Sequence, residues 1–179
     1  MSEHFYLDTG MLEEYCRKII IDERNKKRKQ RGVSLLTHPE KIILMEKKIE
    51  NLKEILKQGK ANYFISLFGW AELVDHLNRK FSLNVTSEEI DTVGKCLGRE
   101  LNLGILIQTK DIPLRPMHIN WIIFYKLQLK DILHVICAKK VKLRIISTDK
   151  DFTDTINKTV YKDRILNYPS FLQEMALSL

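Results

Sequence analysis

The sequence predicts an α/β fold, a three-layer α/β/α sandwich with a mostly parallel central sheet. Three observations predict it. Short apolar runs of strand character, such as Phe5-Tyr6-Leu7 and Leu143-Arg144-Ile145-Ile146, alternate with longer stretches whose apolar residues recur every three or four positions. Strands separated by helical segments run parallel to one another and place helices on both faces of a sheet. The chain has 179 residues and is 44% hydrophobic, enough for one domain, 1–179, with a substantial core.

Taken in order, residues 4–7 read as a short buried strand. Thr9 to Ile21 reads as a helix with Leu12, Tyr15, Cys16 and Ile19 on one face. Asp22 to Arg31 follows, with six basic residues in ten. Thr37-His38-Pro39-Glu40 has the form of a capping box with proline in the first turn. The helix it opens carries Ile42, Met45, Ile49, Leu52 and Leu56, a stripe that is either a core face or a subunit interface, and Gly59 is its expected stop. Tyr63 to Leu67 reads as strand, and Trp70 to Phe81 as helix with Leu73, Val74 and Leu77 inward. Thr86 and Glu89 form a second capping box, opening a helix to about Glu100. Leu103 to Ile107 is a short strand before a loop bearing Pro113 and Pro116. Residues 117–140 are helical by pattern and break near Gln128; Lys142 to Ser147 is strand, and Ile165 to Leu179 a last strand and helix.

No apolar run approaches the roughly 18–20 residues of a membrane span, so no membrane association is expected. Met1-Ser2-Glu3-His4-Phe5 lacks the layout of a secretory signal. Cys16, Cys96 and Cys137 are odd in number, far apart and in apolar contexts, which reads as reduced thiols in a cytoplasmic protein. The net charge of +7 suits an anionic partner.

Five carboxylates punctuate these elements. Asp8 closes the first strand, Glu72 lies six residues after Ser66, Asp131 opens the apolar helix that follows, and Asp149 and Asp151 come just after the Leu143–Ile146 run. An acid just past a buried strand is costly unless something compensates it. At the carboxyl edge of a parallel sheet such acids can converge on one cleft and hold a hard divalent cation. A negative cleft in a positive surround suits a nuclease, because lysines and arginines draw in a phosphate backbone while metal neutralises the centre.

In order and context these segments resemble the PIN-domain nucleases, especially the VapC-like ribonucleases of prokaryotes. The resemblance is carried by Tyr6-Leu7-Asp8-Thr9, by Ile65-Ser66 through Ala71-Glu72-Leu73, by Leu129-Lys130-Asp131-Ile132-Leu133-His134 and by Ile146-Ser147-Thr148-Asp149-Lys150-Asp151-Phe152. It spans positions 6 to 152, and Leu166 to Leu172 looks like the family's closing strand and helix. The resemblance implies a PIN-like sandwich and a divalent-metal-dependent endoribonuclease that hydrolyses RNA phosphodiester bonds with Mg²⁺ or Mn²⁺. It implies Asp8, Glu72, Asp131 and Asp149 as catalytic and metal-holding acids, Asp151 as a weaker fifth ligand, and Thr9 and Ser147 in support. The partners it implies are an RNA substrate, an antitoxin protein if the setting is a toxin–antitoxin pair, and a second copy of the chain in a homodimer. Compact members join the first helix to the second strand more briefly; here a basic and helical stretch at about 22–60 is inserted. Within it Lys26, Lys27, Arg28, Lys29 and Arg31 are either a solvated loop or a strand-guiding arm at the cleft rim.

Other readings fit some of the same residues. A protein of this fold with little cleavage activity would process or bind RNA, but clustered negative charge gains an anion-binding site nothing. A metal-dependent DNA nuclease differs only in how the pocket treats the sugar hydroxyl. Each acid alone reads as a helix cap or a partner of a helix dipole, and joint placement is what raises the set above that. Asp8-Thr9-Gly10 spells the aspartic-protease triplet, but a helix follows directly, whereas that chemistry needs two paired copies in an all-β fold. His134, three residues after Asp131, reads as a packing histidine before a metal ligand or base. Trp70, Trp121 and Phe124 read as core before base-stacking platforms. Zinc spacing, a Ser–His–acid arrangement and a Gly-rich phosphate loop are all missing from the sequence.

Overall fold

The computed structural model describes residues 2–106 and 115–177. Five strands, β1 (Glu3–Leu7), β2 (Ala61–Ser66), β3 (Gly104–Leu106), β4 (Arg144–Ser147) and β5 (Ile165–Asn167), form one sheet in the order β3-β2-β1-β4-β5. Every pairing is parallel. The helices are α1 (Glu13–Gln30), α2 (Lys41–Lys57), α3 (Leu67–Asp75), α4 (Ser87–Leu101), α5 (Pro116–Tyr125), α6 (Leu129–Lys140), α7 (Lys150–Ile156) and α8 (Tyr168–Leu177).

Alternation along the strands builds the three layers, because successive side chains leave opposite faces. Phe5, Leu7, Tyr63, Ile65 and Ile146 enter one core with residues of α1, α2, α4 and α8. Tyr6, Ile145 and Ile165 enter the other, with residues of α5, α6 and α7. The sandwich is therefore the α/β/α architecture expected, with an all-parallel sheet.

Strand order also locates the functional edge. The chain winds outward through β1, β2 and β3, then returns to place β4 on the other side of β1. Connections leave β1 and β4 on opposite sides, so a crevice opens outside their carboxyl ends. Asp8 and Ser147–Asp149 lie at that switch point, and Asp8 N–H donates to Ile146 O at 3.0 Å.

Several local expectations change. The first helix begins with a 3-10 turn, Thr9–Met11, and α1 then runs through the basic tract to Gln30, so the tract is helix rather than loop. Lysine and arginine are good helix formers, and the Lys18–Asp22 and Lys26–Glu23 pairs support the turns. The Thr37–Glu40 capping box does not form; α2 starts at Lys41, and its Glu40 cap makes no side-chain hydrogen bond. Ile42, Met45, Ile49 and Leu52 are buried as expected, but the last buried position is Ile55, with Leu56 only partly so, and Gly59 follows at φ +69°. The helix expected to reach Phe81 ends at Asp75 and continues as a π-helical turn, His76–Lys80. Thr86 and Glu89 close their capping box in both directions at the start of α4. Gln128 caps α6, at the break expected there. Pro116 is the first residue of α5, while Ile107 and Pro113 lie outside the described residues. Phe124 is 74% exposed rather than core, whereas Trp121 is buried. The three cysteines are free thiols; Cys16 and Cys137 are buried and Cys96 partly so. Among the described residues no helix is long and apolar enough to cross a membrane.

Candidate active site

A cleft of about 250 Å³ opens at the switch point, lined by Asp8, Glu72, Asp131 and Asp149 together with Thr9, Glu13, His76, Lys80, Lys130 and His134. The four acids come from four separate stretches of chain. Asp8 ends β1 and caps the 3-10 turn; Glu72 projects from α3; Asp131 lies in the first turn of α6; Asp149 caps α7.

Asp8 is held on both oxygens. Oδ1 accepts the Thr9 backbone N–H at 2.9 Å and Oδ2 accepts the Ser147 hydroxyl at 2.8 Å. Ser147 Oγ in turn accepts the Asp149 N–H at 3.0 Å, which ties the two strand ends together. Burial raises the Asp8 pKa, and the lowering influence of His134 and Ser147 does not cancel it. Asp131 is likewise raised by burial, although Oδ2 accepts the Gln128 N–H at 3.1 Å. Asp149 Oδ1 accepts the Phe152 N–H at 2.9 Å.

Glu72 is different. Its Oε2 accepts the Thr9 hydroxyl at 2.5 Å and faces His134 Nε2 at 2.6 Å. Its Oε1 lies 3.3 Å from Lys130 Nζ and 3.7 Å from His76 Nε2. Burial pushes this carboxyl up, but the bonds from His134 and Thr9 and the charge of Lys130 outweigh it and hold its pKa at about 2. Thr9 therefore supports Asp8 through its backbone and Glu72 through its hydroxyl.

His134 is a site residue that sequence reasoning set aside as packing. It is 1% exposed, and its Nε2 also stands 3.8 Å from Asp8 Oδ1. The Tyr6 hydroxyl links His134 Nδ1 at 2.6 Å to Ser66 Oγ at 2.8 Å, and Ser66 Oγ accepts the Gly69 N–H at 2.9 Å as the cap of α3. A buried chain of contacts thus runs from the α3 cap to Glu72. Its only sequence signal was the three-residue spacing from Asp131. Glu13, His76, Lys80 and Lys130 were also missed; Glu13 receives His76 Nδ1 at 2.9 Å and Lys80 Nζ at 2.5 Å.

Two expected groups fall elsewhere. Asp151 is exposed on α7 and does not line the cleft. The tract Lys26, Lys27, Arg28, Lys29 and Arg31 is not at the rim. Glu13 lines the cleft at one end of α1, and at 1.5 Å per residue Lys26 is about 20 Å further along the helix axis. Lys26 and Lys27 also pair with Glu23 and Glu88.

Among the described residues no three His, Cys, Asp or Glu side chains stand close enough to hold an ion by themselves. The cleft donors are nevertheless oxygen-rich and thiol-free, the chemistry of a hard cation that takes one or two carboxylates and completes its shell with water. With five carboxylates against two lysines, the cleft is also negative within a chain of net charge +7.

The chain is similar to PAE2754 from Pyrobaculum aerophilum, whose crystal structure superposes with a TM-score of 0.50 over 99% of both chains at 12% sequence identity. At that identity the likeness bears on the fold alone. No protein-family model and no curated protein matches the sequence.

Proposed function

We propose that the chain is a divalent-metal-dependent endoribonuclease that hydrolyses phosphodiester bonds in the cleft at the β1–β4 switch point. One observation carries the reading: Asp8, Glu72, Asp131 and Asp149, up to 141 positions apart in sequence, line one water-accessible cleft. Such clustering opposes folding unless a ligand of opposite charge rewards it.

Asp8, Asp131 and Asp149 are the acids that would hold Mg²⁺ or Mn²⁺, with Glu72 contributing through Oε1. Bound there, the cation supplies neutralising charge to the phosphate and makes water nucleophilic at neutral pH. The rest is done by the chain. Ser147 and the Thr9 N–H fix both Asp8 oxygens, so the carboxylate cannot swing away. Thr9 and His134 fix Glu72 ionised, its second oxygen toward the cleft. A carboxyl held at about 2 is a weak proton acceptor at neutral pH, so Glu72 acts by charge and position rather than as a general base. Lys80 and Lys130 place cations beside the acids, where a phosphate backbone must approach. The choice of RNA rests on the resemblance of the four acidic segments to those of PIN-domain ribonucleases, since the carboxylates themselves do not distinguish the sugar.

The test is incubation of the purified protein with mixed single-stranded RNA and DNA, in Mg²⁺, Mn²⁺ or excess chelator. RNA cleavage should require metal and disappear in Asp8→Asn and Asp131→Asn, which keep the side-chain shape and remove the charge. Full activity in chelator, or in either variant, overturns the reading; cleavage of DNA alone moves it to a DNA nuclease.

A further inference from the structure

Lys130 occupies an unusual place. It lies in the first turn of α6, where the helix dipole disfavours a cation. What holds it there is the cleft: its ammonium lies 3.3 Å from Glu72 Oε1, and the charges of Glu72, Asp131 and Asp8 all favour its protonated form. Glu72 Oε2 is already committed to Thr9 and His134, so Oε1 is the oxygen this carboxylate has left to offer the cleft. Lys130 covers that oxygen while remaining 41% exposed itself, so it can leave without unfolding anything. His76 Nε2, the other nitrogen near Oε1, lies farther away, and its ring is tied to Glu13 through Nδ1 at 2.9 Å.

We propose that Lys130 is an exchangeable counter-ion: it neutralises Glu72 until a divalent cation takes Oε1, and then turns to a phosphate of the nucleic acid flanking the scissile bond. The proposal rests on the metal-dependent reading of the cleft and assigns one residue two successive partners. It has a signature that a structural lysine would not give, because removing the ammonium affects the two ligands in opposite directions. Metal binding gains, since a competing cation is gone. Substrate binding loses, since a phosphate contact is gone.

The experiment uses wild type, Lys130→Gln and Lys130→Arg, all checked for equal melting temperature. Mn²⁺ is titrated without nucleic acid and followed by the electron-spin resonance signal of the free ion. KM for a single-stranded RNA is then measured over a range of salt. Lys130→Gln should bind Mn²⁺ about fivefold tighter, the scale of an ion pair at this exposure. Its KM should rise, and the salt dependence of RNA binding should flatten by about 0.7 of a log–log unit, one contact to a single strand. Lys130→Arg should stay near wild type in both. Unchanged or weaker Mn²⁺ binding in Lys130→Gln overturns the counter-ion role, and an unchanged KM and salt slope overturns the phosphate role. If wild type itself neither binds Mn²⁺ nor cleaves RNA, the function proposed above has failed and this assignment falls with it.

Discussion

Gly69 shows how little room the site leaves at the scale of one residue. A Cβ there would stand 2.9 Å from Ile65 Cγ1, 3.1 Å from the Tyr6 hydroxyl and 3.2 Å from His134 Cε1. The first of these is closer than carbon atoms approach, and the other two atoms belong to the buried chain that orients Glu72. Gly69→Ala should therefore lower stability by about 1–3 kcal/mol, the cost of overpacking a filled interior, although alanine favours helix. Urea unfolding checks it; equal or greater stability would show that Tyr6 and His134 are not tightly held. This contact network was illegible in the sequence for a physical reason. Tyr6 and His134 are 128 positions apart, and their meeting depends on how α6 is rotated against β1. Asp8, Asp131 and Asp149 were legible because they sit at a strand end and at helix starts, which local pattern marks, whereas Glu72 lies in the middle of α3.

Among the elements, the joint between α1 and α4 is the one where a charge carries fold rather than function. Arg24, inside the basic tract, reaches Glu89 with Nε at 2.7 Å and Nη2 at 3.0 Å, and Nη2 also donates to Leu83 O at 2.8 Å. Glu89 simultaneously accepts the Thr86 N–H at 2.9 Å, completing the cap of α4. The Arg24 hydrogen bonds, with the cap, hold the Glu89 carboxyl below its ordinary pKa against the effect of burial. A lowered folded-state pKa contributes stability that is complete above the unfolded value, roughly 4.3, and is lost as pH falls through the folded value. Glu89→Gln should accordingly be less stable than wild type at pH 7, by about 1–2 kcal/mol, with the gap narrowing by pH 3. Denaturant midpoints at the two pH values measure this, and a gap independent of pH would mean the ion pair contributes nothing. The capping box of α4 was readable because its two partners are three residues apart. The partner of Arg24 was not, and a tract with six basic residues in ten, readable as a solvated loop or a strand-guiding arm, is helix as far as Gln30. α7 was missed because Lys150–Ile156 is too short and too polar to show a period.

Across the whole molecule, the sheet sorts charge. Its carboxyl edge carries the acid-lined cleft, while the basic end of α1 lies about 20 Å along that helix from Glu13. The cleft must therefore bear its own negative charge whenever no cation is bound, and Asp8 is one place where that is felt, since burial raises its pKa and Glu72 adds to this against the lowering influence of His134 and Ser147. For a carboxyl with a raised folded-state pKa, the penalty is absent below the unfolded value near 3.9 and fully present above the folded value. Asp8→Asn keeps an acceptor for the Thr9 N–H and presents an amide to Ser147 Oγ, so it removes charge with little change of shape. Without metal at pH 7.5, the variant should melt higher than wild type, by about 2–4 °C for each kcal/mol relieved in a chain of this size. The advantage should shrink as pH is lowered toward 4. Millimolar Mn²⁺ should raise the wild-type melting temperature, because it binds the folded state, and should raise that of Asp8→Asn less, because an acid that holds it is gone. The four melts separate the two roles of the cluster. A variant that melts lower without metal, together with equal stabilisation of both proteins by Mn²⁺, would show that Asp8 supports the fold and that the acids of the cleft do not act on one ion.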